Sequence, residues 1–74
     1  MVFKRIKALI VEELNVPEER VLLESRLAED LGADSIDAVE LIMKIEDEFD
    51  IQVSDEQAQN VRTVKDLVDY IEGL

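Results

Sequence analysis

Asp34-Ser35-Ile36-Asp37-Ala38-Val39-Glu40-Leu41-Ile42-Met43-Lys44-Ile45-Glu46-Asp47-Glu48-Phe49 is a helix-periodic stretch with no proline or glycine to interrupt it. The spacing predicts a helix from about Ile36 to Phe49, opened by Ser35 or Asp34 as N-cap. Asp37 then falls in the first turn, where a negative charge suits the helix dipole. On a wheel advancing about 100° per residue, Ala38, Leu41, Ile42, Ile45 and Phe49 share one arc wide enough to face a core. Ile36, Val39 and Met43 form a second, narrow stripe pointing away from it. Residues 34–50 also hold seven acids against one base, Lys44. Two readings of the stripe stand side by side. Either the long loop or a short helix covers it, or it is a docking strip whose acidic rim steers a basic partner that apolar burial then holds. The unbranched side chain of Met43 would adapt to several such partners.

Outward from this stretch, Phe3, Ile6, Leu9, Ile10 and Leu14 predict a first amphipathic helix over residues 2–14. Asn15 suits a left-handed cap, and Pro17 forbids continuation. Residues 16–34 form a long connection in which Val21, Leu22, Leu23, Leu27 and Leu31 are expected to anchor the chain, and loops of this length are often functional. Ser54 or Asp55 opens a short helical turn through Asn60. Thr63 caps a last helix with Val64, Leu67, Val68 and Ile71 on one face, and Gly73 ends it. No internal repeat is visible, and the only hint of a strand is the apolar run Ile51 to Val53. The expectation is an all-α fold, a small four-helix bundle of three main helices and a short third one, forming one domain over residues 1–74.

Composition limits what such a domain does. Nineteen acids against eight bases give a formal charge of −11, which disfavours nucleic acid and anionic membranes and favours basic partners. There is no cysteine and no histidine, so disulfides and zinc sites are excluded. Ser35 is a poor nucleophile here. It has no histidine base, and Asp34 and Asp37 oppose an alkoxide beside them. Chemistry at Ser35 is therefore expected to be done to it by another protein, and the chain is not expected to be an enzyme. No window has the ligand spacing of an EF-hand calcium loop. Asp30, Asp34 and Asp37 are nevertheless candidates for weak Mg²⁺ or Ca²⁺ binding, since oxygen-rich clusters attract hard cations. The N-terminal residues lack the pattern of a signal peptide, and no apolar run reaches membrane-spanning length. A monomeric cytoplasmic protein is expected.

The run Asp30-Leu31-Gly32-Ala33-Asp34-Ser35-Ile36-Asp37, followed by Val39-Glu40-Leu41 and Glu46-Asp47-Glu48-Phe49, resembles the acyl carrier proteins of dissociated (type II) fatty acid synthesis. Val53-Ser54-Asp55-Glu56 resembles the family's entry to its third helix, and Thr63-Val64 through Asp69-Tyr70-Ile71 its final helix. The resemblance implies that a phosphopantetheinyl transferase attaches 4′-phosphopantetheine from coenzyme A to Ser35, and that growing acyl chains ride on the terminal thiol. It further implies that Asp34, Ile36, Asp37, Val39, Glu40, Met43, Glu46, Asp47 and Asp55 meet basic docking patches on fatty acid synthesis enzymes. It also implies an apolar interior able to accept the acyl chain, for which Leu27, Leu31, Ile42, Ile45, Phe49, Val53, Ala58, Val61, Val64, Leu67, Val68 and Ile71 are the candidate core or lining residues. Three positions depart from the commoner pattern: Ile36 stands for the usual leucine, Lys65 where glycine is frequent, and Asn15 where glycine often closes the first helix. A carrier for a specialised polyketide or peptide pathway and an acidic helical adaptor are the alternative readings.

Overall fold

The computed structural model describes residues 2–74. Four α-helices follow one another: α1 (Val2–Leu14), α2 (Ser35–Phe49), α3 (Asp55–Asn60) and α4 (Val64–Glu72). A 3-10 turn, Glu18–Arg20, lies between α1 and α2. There is no strand among the described residues, and Ile51 to Val53 is irregular. The all-helical expectation therefore holds, with three main helices and a short third one. An isolated antiparallel bridge between Arg26 and Thr63 is the nearest approach to β pairing.

The helix ends follow from local chemistry. Asn15 closes α1 at φ 55° and Asp50 closes α2 at φ 55°, both in the left-handed region that asparagine and aspartate tolerate better than most residues. Thr63 opens α4 with a reciprocal cap: its hydroxyl accepts the Asp66 N–H, and the Asp66 carboxylate accepts the Thr63 N–H. That carboxylate also accepts the Arg62 N–H at 3.0 Å, and these backbone bonds hold its pKa below the ordinary value.

The core lies where α1, α2 and α4 meet. Ile6 and Ile10 of α1, Leu41 and Ile45 of α2, and Val64, Leu67, Val68 and Ile71 of α4 are buried together. The connection from 16 to 34 packs against them through Val21, Leu27, Leu31 and Ala33. Two of its expected anchors behave differently: Leu22 and Leu23 are 48% and 40% exposed. Their backbone is used instead of their side chains. The Ser25 hydroxyl, buried with its residue, accepts the Leu22 N–H and donates to the Arg20 carbonyl, while the Leu23 carbonyl accepts the Lys65 N–H at 2.9 Å. Further bonds, Val64 N–H to the Ser25 carbonyl and Leu27 N–H to the Arg62 carbonyl, tie the connection to the start of α4. A long loop thus meets its polar requirements without regular structure. Of the candidate core positions, Ile42, Phe49, Val53, Ala58 and Val61 are only half-buried, and all but Phe49 lie toward α3.

Candidate functional site

The connection delivers the chain to the start of α2 through a tight turn. Asp30 and Leu31 donate to the Arg26 carbonyl, and Ala33 donates to the Leu27 carbonyl. Gly32 has φ +75°, so although a Cβ would meet nothing within 4 Å, a side chain there would be strained by the backbone alone. Asp34 is the N-cap of α2. Its Oδ1 accepts the Asp37 N–H at 2.8 Å, and Asp37 Oδ2 accepts the Asp34 N–H at 3.3 Å, a capping box built from two aspartates. Of the two caps the sequence offers, the structure uses Asp34. Ser35 becomes the first residue of the helix, exposed, with its hydroxyl uncommitted to the cap.

Beyond Ser35, α2 keeps its second stripe uncovered. Ile36, Val39 and Met43 are 67%, 58% and 57% exposed, so neither the long connection nor α3 covers them. Glu40 and Asp47 are exposed, and Asp37 and Glu46 half-buried. Asp55, the first residue of α3, is exposed across from them. A half-open cleft of about 490 Å³ separates α2 from α3 and begins at Ser35. Leu27, Ala38, Ile42, Val53, Ala58 and Val61 give it an apolar lining, while Met43, Glu46 and Asp55 also border it. Its volume lies within the usual range of small-molecule pockets. Val39 and Met43 therefore serve both the stripe and the cleft, a sharing that the helical wheel alone separates too cleanly.

The acids sort into different tasks. Asp30 is held by Arg26 at 3.2 Å, and the hydrogen bonds from that side chain and its backbone N–H lower the Asp30 pKa. With Asp34 and Asp37 bonded to each other's backbone, the three candidate cation ligands have separate engagements. The carboxylates that do converge are Glu13 of α1 with Asp37 and Glu40 of α2, whose oxygens lie within 4.8 Å of one another. Sequence inspection misses this trio because Glu13 comes from another helix. The hydrogen bond and repulsion between Glu13 and Glu40 raise the Glu40 pKa above its ordinary value, and nearby Asp37 adds to the effect. Lys44 offsets part of this charge, lying 3.4 Å from Glu13 and 3.7 Å from Glu12. Glu46 is also engaged: its Oε2 accepts the Val53 N–H at 2.7 Å, across the turn between α2 and α3. A half-buried glutamate seven residues before a loop amide gives no periodic signal.

An uncommitted hydroxyl at a helix start, beside an apolar cleft and an exposed acidic-rimmed stripe, is equipped to be modified and recognised rather than to catalyse. Comparison with known proteins agrees. A family model described as the phosphopantetheine attachment site matches residues 4–71. A solved structure described as "a putative acyl carrier protein (Rv0033)" from Mycobacterium tuberculosis superposes with a TM-score of 0.92 at 34% sequence identity, covering 99% of this chain and 97% of that one.

Proposed function

The chain belongs to the phosphopantetheine-bearing acyl carrier proteins, and from that premise we propose that Ser35 is its attachment serine and that it serves the separate enzymes of fatty acid synthesis as a cytoplasmic monomer. As a carrier it is not a catalyst: it is modified by a transferase, holds an acyl chain and is acted on by partner enzymes. When bound, 4′-phosphopantetheine supplies a terminal thiol that carries acyl groups as thioesters.

The observation that carries the assignment to Ser35 is its hydroxyl, exposed at the first position of α2 while Asp34 and Asp37 do the capping. The residues suit a phosphodiester there. The N–H groups of Ser35 and Ile36 have no intrahelical partner, and they lie at the positive end of the helix dipole. The adjoining cleft offers apolar side chains to an acyl chain. Ile36, Val39 and Met43 supply burial to a docking enzyme, and Asp34, Asp37, Glu40, Glu46, Asp47 and Asp55 set the negative field that selects a basic one. No helix among the described residues is long and apolar enough to cross a membrane. The resemblance of Gly32-Ala33-Asp34-Ser35 to fatty acyl carriers supports that pathway over peptidyl ones.

The test is intact mass. Incubation with coenzyme A and a broad-range phosphopantetheinyl transferase should add one arm, and Ser35→Ala should abolish the gain with an unchanged helical spectrum. Protein purified from its own host should carry saturated or 3-oxygenated acyl groups. A folded wild-type protein that gains no mass refutes the assignment of Ser35, and cargo of polyketide or aminoacyl type refutes that of the pathway.

A further inference from the structure

Eight bases face nineteen acids in this chain, so a cation without a partner is an exception. Six of the eight are engaged: Arg5, Lys7, Arg26, Lys44 and Lys65 in ion pairs, and Arg20 with the Asp30 carbonyl at 2.7 Å. Among the described residues, Lys4 and Arg62 are the two left over. Lys4 stands beside Arg5, whose partner Glu48 is near the end of α2, whereas Ser35 begins that helix. About 20 Å of helix separates the two. Arg62 belongs to the Ser35 end. Its carbonyl accepts the Leu27 N–H at 2.9 Å, and the Leu27 carbonyl accepts, at 2.9 Å, the N–H of Ala33, two residues before Ser35. Val61, the residue before it, borders the cleft in company with Leu27, Ala33 and Ser35. Residue 62 is thus pinned at the mouth where the cleft begins. Its own N–H donates to Asp66 Oδ2 at 3.0 Å, and that oxygen also accepts the Thr63 N–H. Asp66 is committed to the start of α4, and the exposed Arg62 guanidinium is left unpaired beside it. Arg26, across the bridge from Thr63, lacks that freedom, since Glu29 and Asp30 hold it at 2.7 and 3.2 Å.

We propose that Arg62 is a positioning residue for the tether: its guanidinium pairs with the phosphodiester of an arm on Ser35 and holds the base of that arm at the cleft mouth. A guanidinium presents parallel N–H donors that match a phosphate. A phosphodiester on Ser35 carries negative charge between Asp34 and Asp37, which repel it. An uncommitted cation at the same mouth offsets that repulsion. Contacts from two elements, the start of α2 and the turn before α4, restrict the orientation of the phosphate where helix N–H groups alone would leave it free to swing. Being exposed, the pair is weak and screened by salt. The inference rests on the reading of Ser35 as the tether, and it deepens that reading by naming the side chain that holds the first group of the arm.

Magnetic resonance on the arm-bearing protein tests the pair, with attachment of the arm read by intact mass. At low ionic strength, Arg62→Gln should move the phosphorus-31 resonance of the phosphodiester, and Arg62→Lys should move it less. In the wild type, attachment of the arm should slow solvent exchange of the Arg62 Nε–H by up to about fivefold, the upper range for an exposed ion pair. Lys65→Gln removes the same charge from a side chain that Asp69 already holds at 2.7 Å, and it should leave the phosphorus resonance in place. Sodium chloride at about 1 M should erase the difference between wild type and Arg62→Gln. A resonance indifferent to Arg62→Gln, or moved equally by Lys65→Gln, overturns the proposal. So does Nε–H exchange that the arm leaves unchanged. A folded protein that gains no mass overturns the reading of Ser35 and this inference with it, whereas an arm that attaches but ignores Arg62 overturns this inference alone.

Discussion

Helix α2 has two unlike neighbours. Toward α1 and α4 it contributes Leu41 and Ile45, buried against Ile6, Ile10 and the inner face of α4. Arg5 reinforces that side, reaching from α1 to the Glu48 carboxylate at 2.7 Å and over the Phe49 ring at 4.5 Å. Toward α3 it meets a six-residue helix that buries nothing, across a cleft. The difference teaches how so small a chain combines a fixed shape with a movable part. Burial on one side sets the orientation of α2, and hence of Ser35 and the exposed stripe. The other side is left loose enough to yield.

The largest expected effect breaks the packed side. Ile45→Ala should cost about 2–5 kcal/mol in a urea titration, a large share of the roughly 4–11 kcal/mol available to a domain of this length. Ala58→Gly on the loose side should weaken α3 locally by about 1 kcal/mol or less. It should appear in the exchange of α3 amides while leaving the urea midpoint nearly in place, and a midpoint shift as large as that of Ile45→Ala would erase the contrast. Thr63→Ala comes next. Losing its capping bond to the Asp66 N–H should cost about 1 kcal/mol of global stability, because α4 belongs to the packed side.

The smallest effect depends on pH. The Glu40 pKa is raised above its ordinary 4.5 in the folded protein by Glu13, so the native state binds that proton more tightly than the unfolded one. This contribution to stability is fully present below pH 4.5 and is lost as pH rises through the raised value. Glu40→Gln should therefore melt higher than the wild type at pH 7 and show no such advantage at pH 4. An advantage unchanged at the lower pH would mean that its source is not the Glu13 carboxylate.

Periodicity makes α1, α2 and α4 legible in the sequence; Asn15 and Pro17 mark where α1 stops, and Thr63 marks where α4 begins. α3 is legible only from its Ser54 cap, because six polar-rich residues carry no apolar face. The exposed stripe Ile36, Val39 and Met43 follows from the wheel, and Ser35 from its setting at a helix start without a base nearby. What escapes joins residues distant along the chain or uses backbone in place of side chain. Glu13 meets Glu40 only once α1 and α2 pack. Glu46 reaches Val53 only once Asp50 turns left-handed. Leu22 and Leu23 look like anchors until Ser25 and Lys65 claim their backbone groups.

The two aspartates flanking Ser35 have a further consequence. Because Asp34 and Asp37 close the start of α2 on each other's backbone, that joint is complete without anything on the serine between them. It works as a bearing whose setting is independent of the load, so the attachment proposed at Ser35 would leave that fixed point in place. A part passed repeatedly from hand to hand is best gripped where its shape does not change.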